Sequence, residues 1–403
     1  MPEPLSINTQ HLKASETVAI SAECKRRRAA GEEVFDCSVG EPDFDTPAPI
    51  AEAGIAAIRK GYTRYPPNNG LAELRVAMAR HLSLLSGGRP VNADNFIISN
   101  GSKQSLFNAC FTLFGPTDRV LIPSPAWVSY PQIIHLVRAE PVMVPGDPEW
   151  GLKVSVKELE AAYTTRTKGL ILCSPCNPTG AVYTATELKA ILEWAKRRNV
   201  WVIADEIYRR INYGSGPAPS VLDFPDELLE KVVLIYGASK AYAMTGWRIG
   251  AAYAPARVVK AMSAFQSQTT TGANHVAQWA AVTAFSDEKV EAEVVRMTAA
   301  FRRRRDYVVG RFREEAPGVE FNEPHGAFYF FFRVDGIRAA APVTGTQFCA
   351  DLLNGSGVAL VPGAAFGDDR YVRLSYATSD QELAGALDRI LAHVRALETQ
   401  AVG

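Results

Sequence analysis

Cysteine is scarce. Six residues among 403 are too few to staple a fold of this size, so its core has to come from apolar packing, which a chain this long can supply. Neither sign of charge is in excess. Lys and Arg total 43, Asp and Glu total 43, and nothing in that balance gives the electrostatic footprint of a nucleic-acid binder. No apolar run approaches the ~20 residues that span a bilayer. The first thirty residues carry Glu3, Lys13, Glu16, Glu23 and Lys25 and no apolar stretch, so neither a secretory signal nor a transit peptide is expected. A cytoplasmic location with reduced thiols follows as the expectation. Several signatures are also missing: GxxxxGK(S/T), GxGxxG after a strand, GxSxG and HExxH. Their absence weakens NTPase, Rossmann dehydrogenase, α/β-hydrolase and zincin readings. Cys173 and Cys176 form a CxxC with no second pair or His pair, so two small buried residues are expected there rather than a zinc site.

Hydrophobic residues make up 47% and charged residues 21%, the mix of a folded globular chain of two or three domains. Short apolar runs at 96–99, 119–124, 169–174, 200–205, 232–237 and 250–254 alternate with amphipathic stretches. Runs that are apolar at successive positions predict strands buried on both faces, and so a mostly parallel sheet in an α/β arrangement. Thr184 and Glu187 have the spacing of a capping box before a helix. The last hundred residues differ. Strand-like stretches at 328–334, 357–363 and 371–377 sit between long helices near 288–315 and 380–397, the latter with Ser379 and Glu382 at cap spacing. The expected division is an N-terminal segment 1–47 packing on the small domain, a large domain 48–290 and a small α+β domain 291–403. The basic clusters Lys25–Arg28 and Arg302–Arg305 read as solvated helix faces.

Open α/β sheets place ligands at the carboxyl ends of their strands. Three polar segments fall there: SPCNPTG (174–180), ADEIY (204–208) and YGASKAYAMTGWRIG (236–250). Lys240 follows a buried-type strand and a Gly–Ala–Ser turn. It is either a surface lysine or a desolvated amine able to form a Schiff base. Arg248 is a candidate cation for a phosphate. Asp205 is either a turn former or a carboxylate facing a pyridine nitrogen, where a charge-assisted hydrogen bond would hold the proton. Tyr208 is placed to reach a ring oxygen. Asn177 and Trp127 have bland alternatives as a turn residue and a core aromatic. Gly101 and Ser102 open a helix whose free N–H groups suit an anion or simply a cap.

Taken together these segments resemble the fold-type I pyridoxal phosphate aminotransferases, in particular the bacterial aspartate and prephenate aminotransferase subgroup. The resemblance covers essentially the whole chain. Nine motifs occur in family order: SVGEPDFDTP (38–47), GYTRYPPNNG (61–70), SNGSKQ (99–104), PAWVSYP (125–131), SPCNPTGAVY (174–183), ADEIY (204–208), GASKAYAMTGWRIG (237–250), GAFY (326–329) and VRLSYATS (372–379). The resemblance implies a large domain with a mostly parallel central sheet and a smaller α+β domain built from both termini. It implies pyridoxal 5′-phosphate as cofactor and Lys240 as its Schiff-base residue. It implies Asp205 at the pyridinium nitrogen, Tyr208 and Asn177 at the ring oxygen, and Trp127 stacked on the ring. Gly101, Ser102, Lys103 and Arg248 would hold the phosphate, reached by Tyr65 from a partner subunit, so a homodimer is implied. Arg373 would clamp the substrate α-carboxylate beneath the backbone of Gly40. Lys103, with Thr17 and Ser15 close by, would read a distal carboxylate.

The implied activity is transfer of an amino group between L-aspartate or L-glutamate and a 2-oxo acid, in two halves through pyridoxamine phosphate. Prephenate or aromatic partners are the alternative. A lyase or cyclopropane-forming synthase on the same fold is a rival, separated by stoichiometric formation of a 2-oxo acid. A non-catalytic sensor domain is another, disfavoured because only about 35 residues precede SVGEPDF, fewer than a winged-helix module needs. One departure stands out: many aminotransferases have Ser three residues before the Schiff-base lysine, where this chain has Gly237. Neither nucleic acid nor membrane is expected as a partner, and no metal is expected.

Overall fold

The computed structural model describes Ser6, Leu12, Ala14, residues 16–339 and residues 342–400. Its strands, in chain order, are β1 (Phe35–Asp36), β2 (Phe96–Asn100), β3 (Arg119–Ser124), β4 (Glu140–Pro145), β5 (Thr167–Cys173), β6 (Trp201–Asp205), β7 (Val232–Gly237), β8 (Ile249–Tyr253), β9 (Phe321–Asn322), β10 (Tyr329–Arg333), β11 (Val358–Ala359), β12 (Val361–Pro362) and β13 (Tyr371–Ser375). Seven form the central sheet in the order β2-β8-β7-β6-β5-β3-β4. All run one way except β8, which is antiparallel to both β2 and β7.

Alternate residues of these strands feed two separate cores, which is why the sequence shows no polar alternation. Leu170, Leu172, Val202, Ala204, Leu234 and Tyr236 pack with Leu188, Ile191 and Leu192 of the helix Ala185–Arg198. Ile171, Ile203, Val233 and Ile235 pack on the other side with Leu106 and Ala109 of the helix Ser102–Leu113 and Met262 of the helix Ala256–Ser267. The capping box closes as the spacing predicted: Thr184 Oγ1 accepts from Glu187 N at 3.2 Å and Glu187 Oε2 accepts from Thr184 N at 2.7 Å. Its loss would cost about 1 kcal/mol. Ser379 accepts from Glu382 N at 3.1 Å, but the Glu382 carboxylate does not return the bond; it is taken by Thr378 and Arg28.

The C-terminal elements form an antiparallel sheet, β12-β13-β10-β9. The stretch 357–363 was expected as one strand and is two. β11 pairs in parallel with β1, while β12 pairs with β13, so the chain changes sheets at Leu360. The helix Glu16–Ala29 anchors through buried Cys24, against Val34 and Ala359 with Ile20 and Leu353 alongside. In the second basic cluster, Arg304 and Arg305 are buried at 8% exposure, contrary to a solvated face. Arg304 binds Asp43 bidentately at 2.8 and 2.9 Å and Asp380 at 2.7 Å, so burial is compensated by full pairing. Among the described residues no helix is long and apolar enough to cross a membrane.

Candidate active site

Because the strands share a direction, Asn100, Ser124, Cys173, Asp205 and Gly237 end along one edge of the sheet. A cavity of about 540 Å³ opens over that edge. Of the predicted site residues, Thr17, Gly40, Ser102, Lys103, Trp127, Asn177, Asp205, Tyr208, Lys240, Arg248 and Arg373 line it. Gly101 lies behind the wall, where it caps the helix Ser102–Leu113. Tyr65 is 91% exposed and does not reach this chain's cavity. Ser15 lies outside the described residues.

At one end three glycines crowd a helix start. Gly101 has φ +84°, and a Cβ there would lie 2.4 Å from Arg248 Nη2. A Cβ on Gly250 would lie 2.1 Å from Ser102 N, and one on Gly237 would lie 2.5 Å from Ser102 Oγ. The departure at Gly237 thus has a steric cause: the Ser102 hydroxyl, bonded to Tyr236 O at 3.0 Å, fills the space a serine would need. No side chain caps the helix Ser102–Leu113, so its leading N–H groups and positive dipole end face the cavity. Arg248 adjoins them, donating to Thr245 O at 3.0 Å and Asn100 O at 3.4 Å. The combination fits an anion such as a phosphate ester.

The floor is buried. Asp205 is 6% exposed. Its Oδ2 accepts from Tyr130 Oη at 2.7 Å and its Oδ1 from Ile207 N at 3.3 Å. Burial pushes this carboxyl above its usual range, against the pull of Tyr130, the Ile207 N–H and the Lys240 charge. Tyr208 and Tyr329 share a hydroxyl hydrogen bond of 2.7 Å. Arg373, 2% exposed, donates from Nη1 to Asn177 Oδ1 at 2.9 Å and from Nη2 to Ser38 O at 2.6 Å. Its guanidinium lies 4.5 Å from the Tyr329 ring and 4.9 Å from the Phe366 ring. Its Nε is buried without a hydrogen-bond partner. A buried, incompletely satisfied guanidinium with no carboxylate beside it is suited to an incoming one.

Lys240 projects between the two ends. Its Nζ donates to Gly40 O. Burial lowers this amine to about 8, with Arg373 and Arg248 acting in the same direction and Glu41 and Asp205 opposing. A lysine so placed is a nucleophile near neutral pH. Lys103 Nζ sits 4.9 Å from the Trp127 ring centroid, its pKa lowered by burial and then by Arg248.

Several lining residues escaped the sequence reading. Tyr130 lies three residues past Trp127, at the start of the helix Ser129–Leu136, in a motif whose tryptophan alone drew a role. Tyr329 sits in the noted GAFY segment. Ser38 acts through its carbonyl, which leaves no side-chain signal. Cys173 and Cys176 are only partly buried, not fully as expected, because Cys173 opens onto the cavity opposite Asp205. No metal-binding cluster occurs among the described residues.

These residues fit pyridoxal 5′-phosphate: an anion cradle, a buried carboxylate, and an amine of lowered pKa between them. Comparison with known proteins agrees. The bifunctional aspartate aminotransferase and glutamate/aspartate-prephenate aminotransferase of Petunia hybrida is 42% identical, covering 96% of this chain and 82% of its own length. The solved aspartate aminotransferase of Rhizobium meliloti superimposes with a TM-score of 0.91 at 36% identity, over 98% of this chain and 99% of its own. That of Thermus thermophilus with maleate gives 0.91 at 37%, over 97% and 100%. The family profile for aminotransferase class I and II matches residues 32–390. This chain therefore belongs to the class I and II aminotransferases, fold-type I enzymes that work with pyridoxal 5′-phosphate.

Proposed function

We propose that the enzyme moves the amino group between L-aspartate or L-glutamate and a 2-oxo acid. The observation that carries this reading is the pairing of cations in one cavity: Arg373 on the floor and Lys103 on the wall, neither with a carboxylate partner among the described residues. Two such groups suit a substrate with two carboxylates.

When bound, the cofactor withdraws electrons from the substrate Cα and stores the amino group between half-reactions. The chain's own residues do the rest. Arg373 grips the α-carboxylate through its planar fork, beneath Gly40, and so fixes which Cα bond faces the ring. Asp205, itself oriented by Tyr130, would hold the proton on the pyridine nitrogen. Tyr208 and Asn177 would bond the ring oxygen, and Trp127 would cover the ring. The Ser102 hydroxyl, the backbone N–H groups of the turn from Gly101 to Lys103, and Arg248 would hold the phosphate. Lys240 would hold the cofactor covalently through its amine and, as a free amine, would take the proton from Cα. Lys103, with Thr17, reads the distal carboxylate. Tyr65 is exposed here because, in our reading, it completes the site of a second subunit in a homodimer. Segment 1–47 would move with a small domain of residues 291–403 against a large domain of 48–290, in the cytoplasm. Prephenate is a second reading for the acceptor, supported by the name of the Petunia hybrida relative.

The test is Lys103→Ala. We expect kcat/KM for aspartate to fall about tenfold or more, with alanine and phenylalanine changed far less. Equal losses on all donors would remove the distal-carboxylate role.

A further inference from the structure

We propose that Lys25 forms a second, outer carboxylate subsite, which admits 2-amino and 2-oxo dicarboxylic acids whose second carboxylate lies farther from Cα than in glutamate. The inference rests on the reading of Arg373 as the α-carboxylate clamp.

The helix Glu16–Ala29 forms one wall of the cavity. Thr17, Ser21 and Lys25 all line it. They recur every four residues, which stacks them on one helix face. Ile20 and Cys24, one position earlier in each turn, lie about 100° round the helix and anchor it to the protein. The face turned to the cavity thus carries a row of three polar side chains, with Val18 and Ala22 alongside them. From Thr17 to Lys25 it extends about 12 Å along the axis, at 1.5 Å per residue. Thr17 and Ser21 are half-buried whereas Lys25 is exposed, so Lys25 is the outer end of the row, and aspartate and glutamate need only the inner end, where Thr17 and Lys103 serve.

The charge inventory leaves Lys25 without a task. The cavity has five cationic side chains, Lys25, Lys103, Lys240, Arg248 and Arg373, and two carboxylates, Asp205 and Glu41. Four of the cations are used by cofactor and a short dicarboxylic substrate. Lys25 forms no ion pair among the described residues, while Glu23, two residues away on the same helix, and Glu41, which lines the same cavity, have other partners. Glu23 is held by Arg26 and Arg27 at 2.6 to 2.8 Å, and Glu41 accepts from Thr245 Oγ1 at 2.8 Å. An unpaired ammonium at the far end of a polar row, in a site already set for carboxylates, is positioned for a carboxylate that reaches further out.

A series of straight-chain diacids measures this directly. Binding of succinate, glutarate, adipate and pimelate to the holoenzyme is followed by calorimetry in the parent protein, Lys25→Gln and Lys25→Arg. For an exposed cation the expected loss is about fivefold. It should appear for adipate and pimelate in Lys25→Gln, be recovered in Lys25→Arg, and stay below about twofold for succinate. No binding of pimelate by the parent protein, or equal weakening of succinate and pimelate, overturns the proposal. Aspartate turnover is measured alongside. Its absence in the parent protein would defeat the aspartate reading, whereas the diacid series reports on Lys25 whatever the donor.

Discussion

The floor and the rim of one cavity use the same residue types in opposite ways. Arg373 on the floor is 2% exposed, braced by Asn177 and the Ser38 carbonyl and flanked by two aromatic rings. Arg248 near the rim is exposed and held by backbone carbonyls. Lys240 is desolvated, whereas Lys103 and Lys25 reach solvent. On the floor, polar groups fix one another in pairs: Asp205 with Tyr130, Tyr208 with Tyr329, Arg373 with Asn177. Removing a member strands its partner in a dry site. Charges at the rim are more exposed to solvent, which screens them more than those on the floor. The floor therefore carries the chemistry common to the family, and the rim tunes which side chain is accepted.

The contrast can be broken at its strongest point first. Lys240→Ala should lower kcat by at least about 10⁴-fold on every donor, since attachment and proton transfer fail together. Circular dichroism of the variant should remain that of the parent. A variant with a tenth of normal activity would remove Lys240 from the centre. Arg373→Lys keeps the charge but not the fork. It should cost about a hundredfold in kcat/KM for aspartate and alanine alike, because both carry the α-carboxylate. A loss confined to aspartate would move Arg373 to the side-chain end.

The smallest effect is a pH shift. Burial lowers the Lys240 amine to about 8, and only its neutral form attacks a carbonyl. Cofactor uptake, followed by stopped-flow absorbance, should therefore accelerate as pH rises from 7 to about 9 and then level off. Glu41 favours the protonated amine. Glu41→Gln should lower the midpoint by less than about one unit; a midpoint displaced upwards would contradict the electrostatics of the pocket.

Strands buried on both faces were legible because they are apolar throughout. Those at 119–124 and 232–237 end where the runs end. β4 was not, since only Val144 is buried in this edge strand and the segment carries Glu140 and two prolines. The direction of β8 was equally hidden, because a buried strand looks the same either way round. Lys240, Asp205 and Arg373 could be picked out as polar residues inside motifs. Lys25 carried no such signal: its cluster reads as solvated, Lys25, Arg26 and Arg28 are exposed, and only its place in the cavity lining sets Lys25 apart. The burial of Arg304 could not be picked out either, since it depends on Asp43 and Asp380 arriving from distant parts of the chain; nor could that of Arg305, which donates to the Pro324 carbonyl.

A single-turnover reaction tests the assignment most directly. Holoenzyme is mixed with L-aspartate, without acceptor, and both the visible cofactor band and free oxaloacetate are followed. The expected result is loss of the band with one oxaloacetate released per subunit, and its return on adding 2-oxoglutarate. A band that persists with aspartate, or bleaches without oxaloacetate, would contradict amino transfer from aspartate at this site.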